Sequence, residues 1–441
     1  MRARRLAPRS VSLAATLATL AACAPPPGVA GPPADTDAGT PARDGSAPQT
    51  DGGTPTGEPT YYGQVDDLLA AHCWGCHSAD AGGIAPFALD TYESAAAASG
   101  AVAAATAART MPPFFAVDDG SCQSFEDDGR WLSDAEIATL ATWAARGAPM
   151  GDPTSPPPER MQVPHIDAPD VTITMPTPYT QQLSPNEIRC FVADPHVTAD
   201  TFITAYEVLP GTPSVVHHVI VYEPETDADA TTATGMQGTD GQPGYRCDGG
   251  PVVPGHPVAL WAPGSHRTAY PAGTGLALPA GRRLIIQVHY NDSTSGGPRA
   301  DQTSIAFETT ATVAQPAQMM LLNQTDITLP PRATSTTTAQ KTLRVPAAGR
   351  IWGVFPHMHV TGRHLGLTMT STAGTSCLLD VQRWDFNWQQ AYFFTSPIDA
   401  RAGDRIAIEC EYDTSSRDAT TTFGEGTEDE MCLSFFYVTA R

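Results

Sequence analysis

Leu284-Ile285-Ile286-Gln287-Val288-His289-Tyr290 is a short run of aliphatic, β-branched and aromatic residues, the composition of a strand. Outward from it the same texture returns at Thr201–Leu209, 215–222, 351–355, Arg405–Tyr412 and 431–438, with turn residues between the runs. Short strands punctuated in this way predict an antiparallel sandwich architecture. The stretch 170–441 is long enough for two all-β sandwiches, over 170–312 and 313–441. Upstream, over 60–150, the pattern turns helical. Val65, Leu68 and Leu69 share one face, alanines fill 95–108, and Ser133 with Glu136 forms a capping box stapled by Leu132 and Ile137. Ile137, Leu140, Ala141 and Ala144 are expected on the buried face of that last helix, with Gly147 as its stop. Proline-rich residues 151–169 read as a linker, and residues 24–59, without aliphatic periodicity, as a disordered tether.

The chain has 441 residues, with 47 acidic against 25 basic side chains and a formal net charge of −22. It is therefore multidomain. Its scattered basic groups form no Lys/Arg footprint, which excludes DNA and RNA as partners. The 38 glycines and 41 prolines exceed ordinary usage without reaching the level of a wholly disordered chain, which fits linkers between folded parts.

Residues 1–23 carry Arg2, Arg4, Arg5 and Arg9 ahead of a modest apolar run ending Leu20-Ala21-Ala22-Cys23. The run is too short to span a bilayer and reads as an export signal. It resembles the lipobox of bacterial lipoproteins, which implies cleavage before Cys23 and lipidation of its thiol; a plain secretory signal with Cys23 incidental is the alternative. The expectation is an exported, lipid-anchored bacterial lipoprotein, periplasmic or at the cell surface, touching the membrane by its lipid alone.

Cys73-Trp74-Gly75-Cys76-His77 is a C-x-x-C-H sequence, whose thiols can add to the two haem vinyl groups while the histidine coordinates iron. A redox dithiol would need a βαβ setting, and a zinc site a second ligand pair. With its preceding helix, a later Met-Pro and a last helix containing Trp143, this region resembles a class I cytochrome c. That implies one covalently attached haem c, held by Cys73, Cys76 and His77, with Met111 in Arg109-Thr110-Met111-Pro112-Pro113 as the sixth ligand; Met150 and His72 are its competitors. A thioether opposite imidazole raises the haem potential and suits electron transfer.

Histidines also gather in the strand-like runs, as His217-His218, His289 and His357-Met358-His359. Residues two apart on a strand project from one face, so His357 and His359 can chelate one ion. Adjacent residues point to opposite faces, so joint use of His217 and His218 requires a bulge or a strand end. Nitrogen donors with a soft thioether favour copper over magnesium, calcium or zinc.

From about residue 170 onward the chain resembles the copper type II, ascorbate-dependent monooxygenases, the group containing peptidylglycine α-hydroxylating and dopamine β-monooxygenases. The resemblance rests on His217-His218, Gln287-Val288-His289-Tyr290, His357-x-His359 and Asp429-Glu430-Met431-Cys432, in family order. It implies two jelly-roll-like sandwiches with one copper each, facing a solvent-filled cleft. His217, His218 and His289 would hold an electron-relaying copper; His357, His359 and Met431 would hold the catalytic copper where O2 is activated, with His364 as the main alternative ligand. His165, His196, His256 and His266 read as ordinary loop histidines. The resemblance also implies disulfides Cys190–Cys247 and Cys410–Cys432. Cys122 and Cys377 remain, either as an inter-domain disulfide or as two thiols.

The chain departs from the family as well. Phe355 stands where the peptide-amidating members carry a carboxylate-anchoring arginine, and Leu433 and Phe435 replace their asparagine and tyrosine. A peptide-glycine substrate does not fit. Phe355, Leu433, Phe435 and Phe436 point instead to a small apolar one. The expected activity is hydroxylation of a C–H bond with O2, with electrons from a redox protein or small reductant passing through the fused haem. The alternatives are a non-catalytic haem and copper electron-transfer lipoprotein and a copper-binding protein.

Overall fold

Helices form where the caps and alanines favour them. The computed structural model describes residues 58–441 except 80–84, 86, 118–119, 127–130, 157, 159–163, 264, 293–294 and 425; the export signal, Cys23 and the tether as far as residue 57 lie outside the described residues. Helix α1 spans Val65–His72, α2 Tyr92–Ala107 and α3 Asp134–Ala145. Ser133 caps α3, its hydroxyl accepting from the Glu136 amide at 3.3 Å while Glu136 Oε2 accepts from the Ser133 amide at 2.7 Å. The three pack around Val65, Leu69, Leu140 and Trp143. The buried face of α3 differs from expectation. Leu140 and Trp143 are buried, whereas Ile137, Ala141 and Ala144 are only half-buried. The indole removes more apolar surface than the alanines, and its Nε1 donates to Pro149 O at 3.1 Å.

Between α2 and α3 the chain leaves the helices and docks on the C-terminal strands. Ala116 bridges Val381 and Phe125 bridges Phe394. A Cys122–Cys377 disulfide, with Cα atoms 4.9 Å apart, ties the segment down, and Gln123 Nε2 donates to Cys377 O at 2.7 Å. The two cysteines left over in the sequence are therefore bonded to each other. The end of the expected 151–169 linker is also docked. Ile166 is buried against Ala205 and Ala306, and its amide donates to Glu207 Oε2 at 2.9 Å.

The β region contains a nine-stranded sheet running through both halves. Strand Thr274–Leu278 of the N-terminal half pairs in parallel with Gln315–Asn323 of the C-terminal half, which in turn pairs with Leu433–Ala440. A five-stranded sheet containing Asn186–Ala193, Leu284–Asn291 and Val216–Pro224 covers the first half of this long sheet. A second five-stranded sheet, built on Gly362–Ser371 and Arg405–Tyr412, covers the second half. The two expected sandwiches are present but share one layer. The Cys190–Cys247 and Cys410–Cys432 disulfides both form.

Candidate metal centre

The first histidine group is assembled by a register shift. Val288 opposes Val219 and His289 opposes His218, but Tyr290 opposes Val216, leaving His217 as the extra residue of a bulge. This is the distortion that adjacent histidines require to share a site. The ring centroids of His217 and His218 are 5.4 Å apart, and those of His289 lie 5.0 and 4.7 Å from them. Nitrogens of all three lie within 4.8 Å of one another. His289 Nε2 pairs with Asn186 Oδ1 at 3.1 Å, which directs Nδ1 toward its two neighbours as the free position. The buried Nε2 of His217 and Nδ1 of His289 have no hydrogen-bond partner among the described residues.

The second group sits at the end of strand Gly349–His357. Met358 is fully buried in the C-terminal core, so His357 and His359 project to the other side with rings 5.1 Å apart. Gln389 Oε1 accepts from His357 Nδ1 at 2.5 Å, and the Asp429 carbonyl from His359 Nδ1 at 3.0 Å, leaving Nε2 of each ring available. Glu430, buried, organises the rest. Its Oε2 accepts from the amides of His359 (3.0 Å) and Met431 (3.3 Å), and its Oε1 from the amide and hydroxyl of Thr361 at 2.7 and 2.6 Å. Met431 is buried, and Tyr412 donates to its carbonyl at 2.8 Å. The Cys410–Cys432 bridge anchors the adjoining residue.

The two groups are neighbours rather than partners across an open cleft. The His218 and His357 rings are 5.8 Å apart, and Phe386 stacks on His217 at 4.2 Å while lying 6.0 Å from His359. Thr427, four residues before Met431, donates to Asn186 Oδ1 at 2.6 Å and so joins the two halves at the same place. The shared sheet and the inserted phenyl ring replace the expected cleft. Burial holds every ring in the neutral state: His217 and His359 are pushed down to about 4, His357 to about 3, and His218 and His289 well below the ordinary imidazole value. Neutral imidazoles with uncommitted nitrogens are metal ligands in waiting.

Met431, His218, His357 and His359 line a cavity of about 190 Å3 together with Phe355, Leu433 and Phe435. Phe436 does not join them. Alternation along its strand turns it into the C-terminal core. A larger cavity of about 560 Å3 is lined by Cys73, Cys76, His77 and Met111, with His72 and His266 also in its wall. His77 Nδ1 lies 3.0 Å from Phe87 O, which orients the ring and leaves Nε2 open. Met150 is exposed and is not part of that wall. His364 pairs with Asp380 at 2.5 Å, and His165 with Glu207 at 2.7 Å; His196 is exposed, and His256 lies opposite Glu223 on an outer strand. None of these four lines either cavity. Sequence reading missed Asn186, Phe386 and Gln389, for which no local pattern exists, and passed over Glu430 although it stands inside a quoted motif.

Residues 174–296 match the model of the copper type II ascorbate-dependent monooxygenase N-terminal domain, and residues 314–439 that of the C-terminal domain. Dopamine beta-hydroxylase of Canis lupus familiaris is 25% identical over 255 residues, covering 53% of this chain and 40% of that protein. The putative DBH-like monooxygenase protein 2 of Homo sapiens is 32% identical over 90 residues, 20% of this chain and 18% of that protein. The chain thus spans well under two thirds of the length of these relatives. Among solved structures the major capsid protein P2 of bacteriophage PM2 aligns with a TM-score of 0.26 at 11% identity, over 61% of this chain and 97% of that one, a likeness too slight to bear on fold or function. With both domain models matched in order over more than half its length, and the histidine groups of both halves gathered at one buried site, the chain belongs to the copper type II ascorbate-dependent monooxygenases.

Proposed function

We propose that the protein is a copper-dependent monooxygenase that hydroxylates a C–H bond of a small, mainly apolar molecule. The balance is R–H + O2 + 2 electrons + 2 protons → R–OH + H2O, the electrons coming from a one-electron donor, either a redox protein or a small ene-diol reductant. The observation that carries this reading is the convergence of five neutral imidazoles and Met431 on one buried site, two of whose nitrogens are otherwise orphaned.

His217, His218 and His289 are proposed to hold one copper, and His357, His359 and Met431 the other. Copper, when bound, supplies one-electron redox chemistry and the activation of O2. The chain's own groups do the rest. Asn186, Gln389 and the Asp429 carbonyl each take the proton-bearing nitrogen of one ring and so fix which nitrogen is free. Glu430 holds the His359 and Met431 amides in one frame. Phe386 covers His217 and helps to keep water from the pair of groups.

The larger cavity fits a haem c. Its wall carries both thiols of the C-x-x-C-H motif, a histidine whose Nε2 is uncommitted, and a thioether. Haem, when bound there, supplies a one-electron relay. Cys73 and Cys76 would hold it covalently through their thiols, and His77 and Met111 would supply the nitrogen and sulfur ligands. Export, lipidation at Cys23 and a periplasmic or cell-surface location complete the proposal.

The test is 18O2 turnover of the purified, metallated full chain over a panel of small substrates, with metal and haem analysis alongside. Label in the product and two coppers per haem are expected. Full metal content without label in any product would favour the non-catalytic electron-transfer reading instead.

A further inference from the structure

The two cavities adjoin. Ser265, Thr268, Gln390 and Ala391 line both, so a shared layer of residues lies between Cys73, Cys76 and His77 on one side and His357, His359 and Met431 on the other. The segment 386–391, which belongs to no helix or strand, serves both sides. Trp388, Gln390 and Ala391 stand in the wall of the larger cavity. Among them, Gln389 lines the smaller one and accepts from His357 Nδ1 at 2.5 Å. Farther back along the segment, Phe386 stacks on His217 at 4.2 Å. The segment is folded on itself: Gln389 Nε2 donates to Phe386 O at 2.9 Å, and the Trp388 amide to Asp385 O at 3.0 Å.

We infer that residues 388–391 are the electron bridge from the haem cavity to the metal centre, and that Gln389 delivers each electron to the second histidine group, at His357, rather than to the first. The inference rests on the proposed haem relay and names its route. Electronic coupling decays more slowly along covalent and hydrogen bonds than across a van der Waals gap. From Trp388 or Gln390, in the wall of the larger cavity, the path to His357 is a peptide link, the Gln389 side chain and a hydrogen bond. The path to His217 must run on to Phe386 and then cross between stacked rings that share no bond. The step moves one electron: iron(II) of the haem becomes iron(III) as copper(II) at the second group becomes copper(I). No bond forms or breaks and no proton is required, and the one-electron donor restores iron(II). Holding both centres in one chain keeps each at high effective concentration for the other.

The test reads the metals rather than the product. In the oxidised, copper-loaded, haem-containing full chain, without O2 or substrate, a flavin photoreductant reduces the haem by laser flash and absorbance follows its reoxidation. A fast phase independent of protein concentration is expected. X-ray absorption of samples frozen at its end should show copper(I) with a sulfur neighbour, the mark of Met431; copper(I) without sulfur at that point overturns the inference. His289→Ala, which removes a first-group ligand, should keep the fast phase, and His359→Ala should lose it. The reverse pattern, or no difference between the two, overturns the route. Gln389→Leu should abolish the fast phase while both coppers stay bound at unchanged potentials in a spectroelectrochemical titration. A fast phase that survives Gln389→Leu overturns delivery by this side chain. So does one lost only because copper leaves or its potential falls, since Gln389 would then merely orient His357. The relay reading fails separately: haem that stays reduced in the unsubstituted chain refutes it, whereas haem oxidised by the wrong group refutes the route alone.

Discussion

Replacing Glu430 by glutamine isolates the group that holds the proposed second copper site together. The carboxylate accepts four hydrogen bonds at 2.6 to 3.3 Å, two on each oxygen. Glutamine keeps one acceptor oxygen and sets an NH2 against two of those donors. The pair facing the NH2 loses its acceptor, at about 1–3 kcal/mol for each buried donor left unsatisfied, and the other pair declines from charge-assisted to neutral strength. Allowing for relaxation, the frame should weaken by about 3 kcal/mol, which is about a hundredfold if it falls on metal affinity. The loss should be local, because the donors are the amides of His359 and Met431, whereas no first-group histidine bonds to Glu430. Competition with a Cu(I) chelator should therefore show one site weakened and one unchanged, and X-ray absorption should lose the copper–sulfur signal. Thr361→Val, which deletes only the hydroxyl donor, should cost about 1 kcal/mol. A Glu430→Gln protein that keeps both coppers at wild-type affinity, retains its sulfur signal and melts at the wild-type temperature would refute the assigned role.

Three further outcomes follow from groups outside that frame. In the metal-free protein the histidine group has folded-state values below the unfolded one, with His217 and His359 near 4 and His357 near 3. Stability should therefore be full above about pH 6.5 and fall as the pH drops toward 4, which acid titration by circular dichroism reads directly. Cys122→Ser with Cys377→Ser opens a closure of 255 residues. It should lower the unfolding free energy by up to roughly 5 kcal/mol on loop-closure grounds, seen as a lowered melting temperature and faster proteolysis near residues 114–126. His165 is raised by its hydrogen bond to Glu207, so its contribution is present below the unfolded value and lost as the pH rises through the folded one. The pair is exposed on the histidine side, so the effect should be about 0.5 kcal/mol, read as faster exchange of the Ile166 amide above neutral pH and abolished by His165→Ala.

What was legible in the sequence was local. A serine three residues before a glutamate announces a capped helix because the two groups exchange hydrogen bonds within one turn. Histidines at 357 and 359 share a face because strand residues alternate, and the same rule applied to 217 and 218 called for a bulge or a strand end, of which the bulge is found. Alternation also explains the error at Phe436, since Phe435 and Phe436 cannot both reach one cavity. The rest depended on pairings remote in the chain. Asn186 meets Thr427, and Phe386 meets His217, across separations that no periodicity records. The parallel joint between Thr274–Leu278 and Gln315–Asn323 is likewise a property of the folded sheet.

That joint determines what can be taken apart. Cutting the chain between its two β halves would leave two unpaired backbone edges, each carrying donors and acceptors with nothing to meet but another chain. Neither half is an independent cassette, and a copper half produced alone should self-associate along the severed edge. The second histidine group lies at the end of a strand of the long sheet and the first on the sheet packed over it, so their spacing rests on that packing together with the shared layer. Adjustment at the site falls to the loop bearing Phe386 and Gln389, which touches both groups and belongs to neither sheet.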